Sequence, residues 1–174
     1  MICHIVPMTL DDIPAIMEIE RSCHVQPWSE SFFVEELQRS QSHAYVACRE
    51  NSACRRRVVG YVCFWLVVDE VQIFNLAVDI AHRRCGIGRG LLQHALLIGY
   101  RNRARVAVLE VRRSNDAARQ LYASLGFQRV GERKDYYGGL REPAVLMELE
   151  MDRDWCARWG VVGSPDIQGQ TVEP

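Results

Sequence analysis

The chain holds 174 residues, 48% of them hydrophobic and 25% charged, a balance that suits one globular domain and excludes wholesale disorder. Twenty-one Lys and Arg against 22 Asp and Glu leave a net charge of −1, which argues against a general nucleic-acid or anionic-membrane binder. The longest uncharged apolar run, Val58 to Val68, is 11 residues, short of the ~20 that a membrane-crossing helix needs, and Asp11 and Asp12 interrupt the start before a signal-peptide core can form. A soluble cytoplasmic protein with no membrane partner and no direct nucleic-acid partner is expected. The seven cysteines are odd in number and contain no CxxC pair, so they read as reduced thiols, and no metal is expected. All but one of the basic residues are Arg, Lys134 being the exception, which a GC-rich genome accounts for.

Thr9 to Asp12 offers side-chain oxygens for a helix start, and Ile13, Ile16, Met17 and Glu20 follow at helical spacing. Pro27-Trp28-Ser29 breaks the chain, and Ser29 caps a second helix carrying Phe32, Phe33 and Leu37. Residues 43–49 and 58–67 are β-branched and aromatic runs joined by a polar loop, where Arg55-Arg56-Arg57 reads as a solvated hairpin end. A further strand over 70–78 alternates around Val71, Ile73 and Phe74. After a glycine-bearing turn, Leu91, Leu92, Ala95 and Leu96 share one face of a helix that ends near Tyr100. Residues 105–111 read as a buried strand. Ser114-Asn115-Asp116 then starts a helix with Ala117, Ala118, Leu121 and Leu125 inside, and Gly126 stops it. Residues 127–133 and 144–149 make a last strand pair around Gly138-Gly139. Periodicity is lost from Asp152, so a domain over 1–151 is expected, with a loosely ordered or docking tail over 152–174 that carries Trp155 and Trp159. The order β-α-α-β-β-β-α-β-α-β-β defines a mixed α/β sheet domain, with a ligand crevice where helices follow strands.

The turn Arg83-Arg84-Cys85-Gly86-Ile87-Gly88-Arg89-Gly90 lies between a strand and a helix. Glycines there let backbone N–H groups approach an anion at the positive end of the helix, which suits a pyrophosphate. A dinucleotide fingerprint needs glycine where Leu91 stands, and a P-loop needs Lys where Arg89 stands, so both fail. What remains is the pattern [Q/R]xxGxG, supplied by Arg83, Gly86 and Gly88.

Asn75-Leu76-Ala77-Val78-Asp79, this glycine turn, Leu109-Glu110-Val111, and Ser114-Asn115-Asp116-Ala117-Ala118 leading to Leu121-Tyr122 and Leu125-Gly126-Phe127 resemble the GNAT superfamily of N-acetyltransferases. Within it, Gln26-Pro27-Trp28-Ser29 and Tyr136-Tyr137 are similar to the ribosomal-protein-alanine N-acetyltransferases. The resemblance covers roughly Ile5 to Met151. It implies a central, mostly antiparallel sheet flanked by helices, acetyl-CoA as donor, and a protein N-terminus, that of a ribosomal protein, as acceptor. It also implies a monomer or weak dimer. By the same resemblance, backbone groups of Leu76, Ala77 and Val78 hold the pantetheine arm and acetyl oxygen. Arg84, Cys85, Gly86, Ile87, Gly88 and Arg89 hold the pyrophosphate, with Asn115 further along the cofactor. Glu110 matches the general base, Tyr122 the general acid, and Trp28, Tyr136 and Tyr137 the acceptor groove.

The chemistry agrees with these roles. A protein α-amine has a pKa near ~7.7–8.0, so a base must remove its proton before it attacks, and Glu110 is the one acidic residue in an otherwise apolar strand. Its alternative reading is a salt bridge to Arg112 or Arg113. A phenol such as Tyr122 can protonate the departing thiolate; its alternative is packing against the sheet. An N–H from 76–78 suits the charge that grows on the acetyl oxygen, and direct transfer in a ternary complex needs no covalent intermediate. His82 and His94 read as structural or solvated, and Cys85 as a neighbour of phosphates. Acetyl transfer to small amines or lysine side chains is the alternative within enzymes, and a non-catalytic acyl-CoA-binding module the alternative outside them.

Overall fold

The computed structural model describes residues 3–50, 56–137 and 142–152, with Trp155 and Ala157; the side chains of residue 50 and of 134–137 are outside that description. The Gly138-Gly139 loop, Arg55 and most of the tail therefore lie outside the described residues.

The elements run β1 (His4–Pro7), α1 (Ile13–Cys23), α2 (Glu30–Gln38), β2 (Ser42–Glu50), β3 (Arg56–Val67), β4 (Glu70–Val78), α3 (Ile87–Arg101), β5 (Val106–Arg112), α4 (Asp116–Ser124), β6 (Gln128–Tyr137) and β7 (Glu142–Glu150). The order is the one expected. Thr9 starts a 3-10 turn over Leu10–Asp12 rather than α1 itself, its N–H and hydroxyl both 2.9 Å from Asp12 Oδ2. Ser29 and Asn115 cap α2 and α4 through their side chains, at 3.2 Å from the N–H of Phe32 and of Ala118.

The seven strands form one sheet in the order β1-β2-β3-β4-β5-β7-β6, antiparallel except for β4 beside β5. Two apolar clusters cover its faces. One packs α3 and α4 on the sheet through Leu91, Leu92, Leu96, Tyr122 and Leu125; the other packs α1 and α2 through Ile16, Phe33, Tyr61 and Cys63. At ~25 cal/mol per Å2 of apolar surface these two layers dominate stability. Ala117 stays exposed on α4, so the inner side begins at Ala118.

Two local readings differ from the sequence expectation. Phe74 is 45% exposed, because Ile73 pairs with Phe64 and Asn75 with the adjacent Cys63, leaving Phe74 as the extra residue of a β-bulge. Arg56 and Arg57 are exposed but lie in β3, not in the loop before it, with Arg56 3.1 Å from the buried Asp12 and Arg57 3.3 Å from Asp79. Trp155, in the tail expected to be loosely ordered or docking, is 4% exposed and packs on Tyr100 at 6.0 Å between ring centroids.

Candidate active site

The site grows from one interruption in the sheet. Parallel pairing of β4 with β5 runs only from Glu70–Val106 to Ile73–Leu109, although β4 continues to Val78 and β5 to Arg112. Antiparallel pairing with β3 continues to Val78. Asp79 N–H donates to Val59 O at 2.9 Å, so by alternation Ala77 faces β3, while the N–H groups of Leu76 and Val78 point to the opposite edge, into the opening beside β5. Two extended-backbone donors at an unpaired edge fit the amide-bearing arm of a pantetheine ligand.

Next to this edge stands the start of α3. Gly86 adopts φ +78° and Arg84 φ +61°, the left-handed backbone that folds the turn back on itself. The first helical bond is Gly90 N–H to Gly86 O at 2.9 Å, so the amides of Ile87 and Gly88 precede the ladder of the helix. A side chain at Gly88 would meet Leu121, Val78 and Leu76, at 3.4, 3.5 and 3.7 Å, which brings α3, α4 and the end of β4 together around the opening. Amides at a helix start suit an anion such as phosphate. Arg84 and Cys85 are exposed on the turn, whereas Ile87 turns its side chain into the core. Arg83 points elsewhere, its Nε 3.3 Å from Val78 O and its Nη2 3.1 Å from Cys23 Sγ. Arg89 Nη2 donates to Ser124 Oγ at 2.8 Å. Asn115 Oδ1 caps its own helix, accepting from the Ala118 N–H.

Glu110 follows directly after the last β4–β5 pair. Its neighbours Leu109 and Val111 enter the α3–α4 core, so its own side chain emerges on the opposite face of the sheet. Its ion-pair partner is neither Arg112 nor Arg113 but Arg133 of β6, at 3.2 Å, and its second oxygen is buried with no hydrogen-bond partner among the described residues. Arg112 pairs with Glu142 at 3.6 Å, and Arg113 with Glu132 at 3.4 Å. Two hydrogen bonds from Ser114, hydroxyl and amide, with Arg112 behind them, hold the Glu142 carboxyl below the usual range. Tyr122 is buried on α4 with its ring 5.9 Å from Phe127. It occupies the α3–α4 face, so the opening between β4 and β5 separates it from Glu110.

The face of the sheet on which Glu110 emerges also holds a cluster that sequence reading missed. Glu20 of α1, 1% exposed, accepts from the Tyr61 hydroxyl, from Trp28 N–H at 2.8 Å and from Asn75 Nδ2 at 3.4 Å. It thereby ties the segment between α1 and α2 to β3 and β4 opposite the opening. Burial pushes the His24 imidazole down, against the pull of Glu20, with Arg112 and Arg83 adding to the decrease. Gln26 Oε1 lies 3.5 Å from Arg112 Nη2, and Trp28 packs on Phe32 with 4.4 Å between ring centroids and the rings tilted by 50°. Tyr136 and Tyr137 end β6, Tyr137 paired with Glu142, and their side chains lie outside the described residues. A glutamate in the apolar stripe of α1 was the one available signal for this cluster. Among the described residues no three metal-ligating side chains gather, and no helix is long and apolar enough to cross a membrane.

An anion cradle at a helix start, beside a strand edge freed by a split in the sheet, defines an acyl-CoA-dependent acyltransferase architecture. Residues 13–127 match the acetyltransferase (GNAT) family, and the chain belongs to that family. It is 38% identical over 142 residues to the ribosomal protein bS18-alanine N-acetyltransferase of Escherichia coli K12, covering 79% of this chain and 90% of that protein. The Haemophilus influenzae protein of the same name is 34% identical over 141 residues, covering 78% and 90%. The crystal structure of the Escherichia coli ribosomal-protein-S18-alanine N-acetyltransferase superposes with a TM-score of 0.75 at 34% identity, covering 87% of this chain and 95% of that one. Arabidopsis thaliana NAA60 in complex with acetyl-CoA, at 18% identity, shares the fold with a TM-score of 0.78, covering 86% and 99%.

Proposed function

We propose that this protein moves an acetyl group from acetyl-CoA to the α-amine of a protein N-terminus, the N-terminal alanine of ribosomal protein bS18, and that residues 1–151 form the catalytic domain. The observation that carries the reading is the end of β4–β5 pairing at Ile73 and Leu109, which turns the Leu76 and Val78 amides toward an empty edge with Glu110 at its fork. The names of the Escherichia coli and Haemophilus relatives supply the acceptor.

Bound acetyl-CoA supplies the thioester carbonyl. Leu76 and Val78 amides hold the pantetheine arm, with Ala77 between them fixing the strand to β3. The Gly86–Arg89 amides donate hydrogen bonds to the diphosphate, Arg84 and Cys85 flank them, and Asn115 contacts the cofactor further along. An N–H at the 76–78 edge stabilises charge on the acetyl oxygen. Glu110 takes the proton of the acceptor amine, and Tyr122 gives one to the departing sulfur. Trp28, Tyr136 and Tyr137 border the acceptor groove, and direct transfer in a ternary complex completes the reaction.

The test uses purified protein, acetyl-CoA and a peptide beginning with alanine. Glu110→Gln is expected to lower kcat about a hundredfold while calorimetric acetyl-CoA affinity stays near normal. Unchanged turnover removes Glu110 from the mechanism, and absence of any heat on adding acetyl-CoA sinks the whole reading. Faster acetylation of polyamines or internal lysines than of the α-amine redirects it to another acceptor class.

A further inference from the structure

We propose that Arg133 is a positioning residue for acetyl transfer, holding the Glu110 carboxylate in the orientation in which it receives the amine proton. The inference rests on the reading of Glu110 as base. Arg133 belongs to β6, two strands away from β5, and it crosses β7 to reach its partner. The register shows how it gets there: Arg133 and Arg112 both pair with Ala144 of β7, from opposite sides, and Glu110 pairs with the next residue on that face, Leu146. Directly opposed residues share a face, so Ala144 lies under the Arg133 side chain, and its methyl group leaves a path for the guanidinium.

The guanidinium Nη1 stands 3.2 Å from Glu110 Oε1. Glu110 Oε2 is buried and takes no hydrogen bond among the described residues, so it does nothing to fix the carboxylate's orientation. The two nearer arginines are committed elsewhere, Arg112 to Glu142 and Arg113 to Glu132. A glutamate carries three rotatable bonds, and Arg133 is its one ion-pair partner among the described residues. A carboxylate oxygen accepts more than one hydrogen bond, so Oε1 keeps room for the amine or a bridging water while Arg133 is in place. The Arg133 side chain is 55% exposed, and an ion pair with so much solvent on one partner contributes little to folding. Its value lies in geometry, where a misplacement of about 1 Å costs a base roughly a hundredfold in rate.

Steady-state kinetics with acetyl-CoA and an alanine-initiated peptide test this. Arg133→Ala is expected to lower kcat about tenfold with the KM for acetyl-CoA held within about twofold, and Arg133→Lys to recover most of the loss. In a Glu110→Gln background, Arg133→Ala is expected to cost nothing more, because its effect passes through the carboxylate. Normal kcat in Arg133→Ala, or the same loss in both backgrounds, overturns the proposal; so does a fall in peptide KM at constant kcat, which makes Arg133 a competitor of the amine. Should Glu110→Gln itself turn over normally, the base reading fails and this inference with it. An inactive Glu110→Gln beside a normal Arg133→Ala confines the failure to Arg133. Thermal melting checks that each variant folds, and Arg133→Gln replaces an unstable Arg133→Ala in the same measurements.

Discussion

Glu20 stands in the apolar stripe of α1, where a leucine would satisfy the helix equally well. It survives burial because three donors from three other places converge on it: the Tyr61 hydroxyl, the Trp28 amide and the Asn75 carboxamide. Truncation would leave all three without an acceptor in a dry layer, so Glu20→Ala is expected to cost about 3 kcal/mol of stability, read by urea unfolding, and Glu20→Gln distinctly less. Its anomalous position in the stripe was legible in the sequence. Its partners were not, because Tyr61 and Asn75 are 41 and 55 residues away and only the fold brings them near. Glu110 gives the same lesson: its place as a lone carboxylate in an apolar strand could be read, but its ion-pair partner is not one of the sequence neighbours that the alternative reading offered. Arg112 and Arg113 are drawn off by Glu142 and Glu132, and a residue 23 positions further on takes their place.

The turn between β4 and α3 depends on Asp79. Burial works to raise this carboxyl, but the Ala81 N–H bond, His82 and Arg57 outweigh it and hold it below its ordinary value of 3.8. Ala81 N–H lies 3.0 Å from Oδ1, and His82 Nδ1 lies 3.0 Å from Oδ2. A carboxyl with a depressed folded-state value stabilises fully above its unfolded value and loses that contribution as pH falls through the folded one. The stability gap between the native protein and Asp79→Asn is therefore expected to be widest above about pH 4 and to close at lower pH, as followed by urea unfolding across pH. Helix starts and the glycine turn were legible because Ser29, Asn115, Gly86 and Gly88 act within a few residues of themselves. The bulge at Phe74 was hidden, since one surplus residue in an apolar run leaves no mark on its composition.

At the scale of the whole molecule, Trp155 of the tail anchors to the body. Trp155 caps the α3–α4 core beside Tyr100, its amide 2.7 Å from Asp152 Oδ1. Trp155→Ala is expected to remove about 3 kcal/mol and to lower the melting temperature by about 10 °C in a thermal scan. The α/β order and the strand-to-helix crossovers could be read from pattern; the end of β4–β5 pairing and the choice of Trp155 as the docking ring could not, because neither leaves a periodicity. The surplus residue in β4 has a consequence at this scale as well. Upstream of Phe74 the odd-numbered side chains, Val71 and Ile73, serve the α3–α4 layer; downstream the parity inverts, and Leu76 and Val78 serve it while Asn75 and Ala77 turn to α1 and α2. A single strand thus fastens both halves of the protein, and the same half-step of phase sets a polar carboxamide beneath Glu20. An uninterrupted strand of this sequence would aim Asn75 into hydrocarbon and leave that carboxylate one donor short.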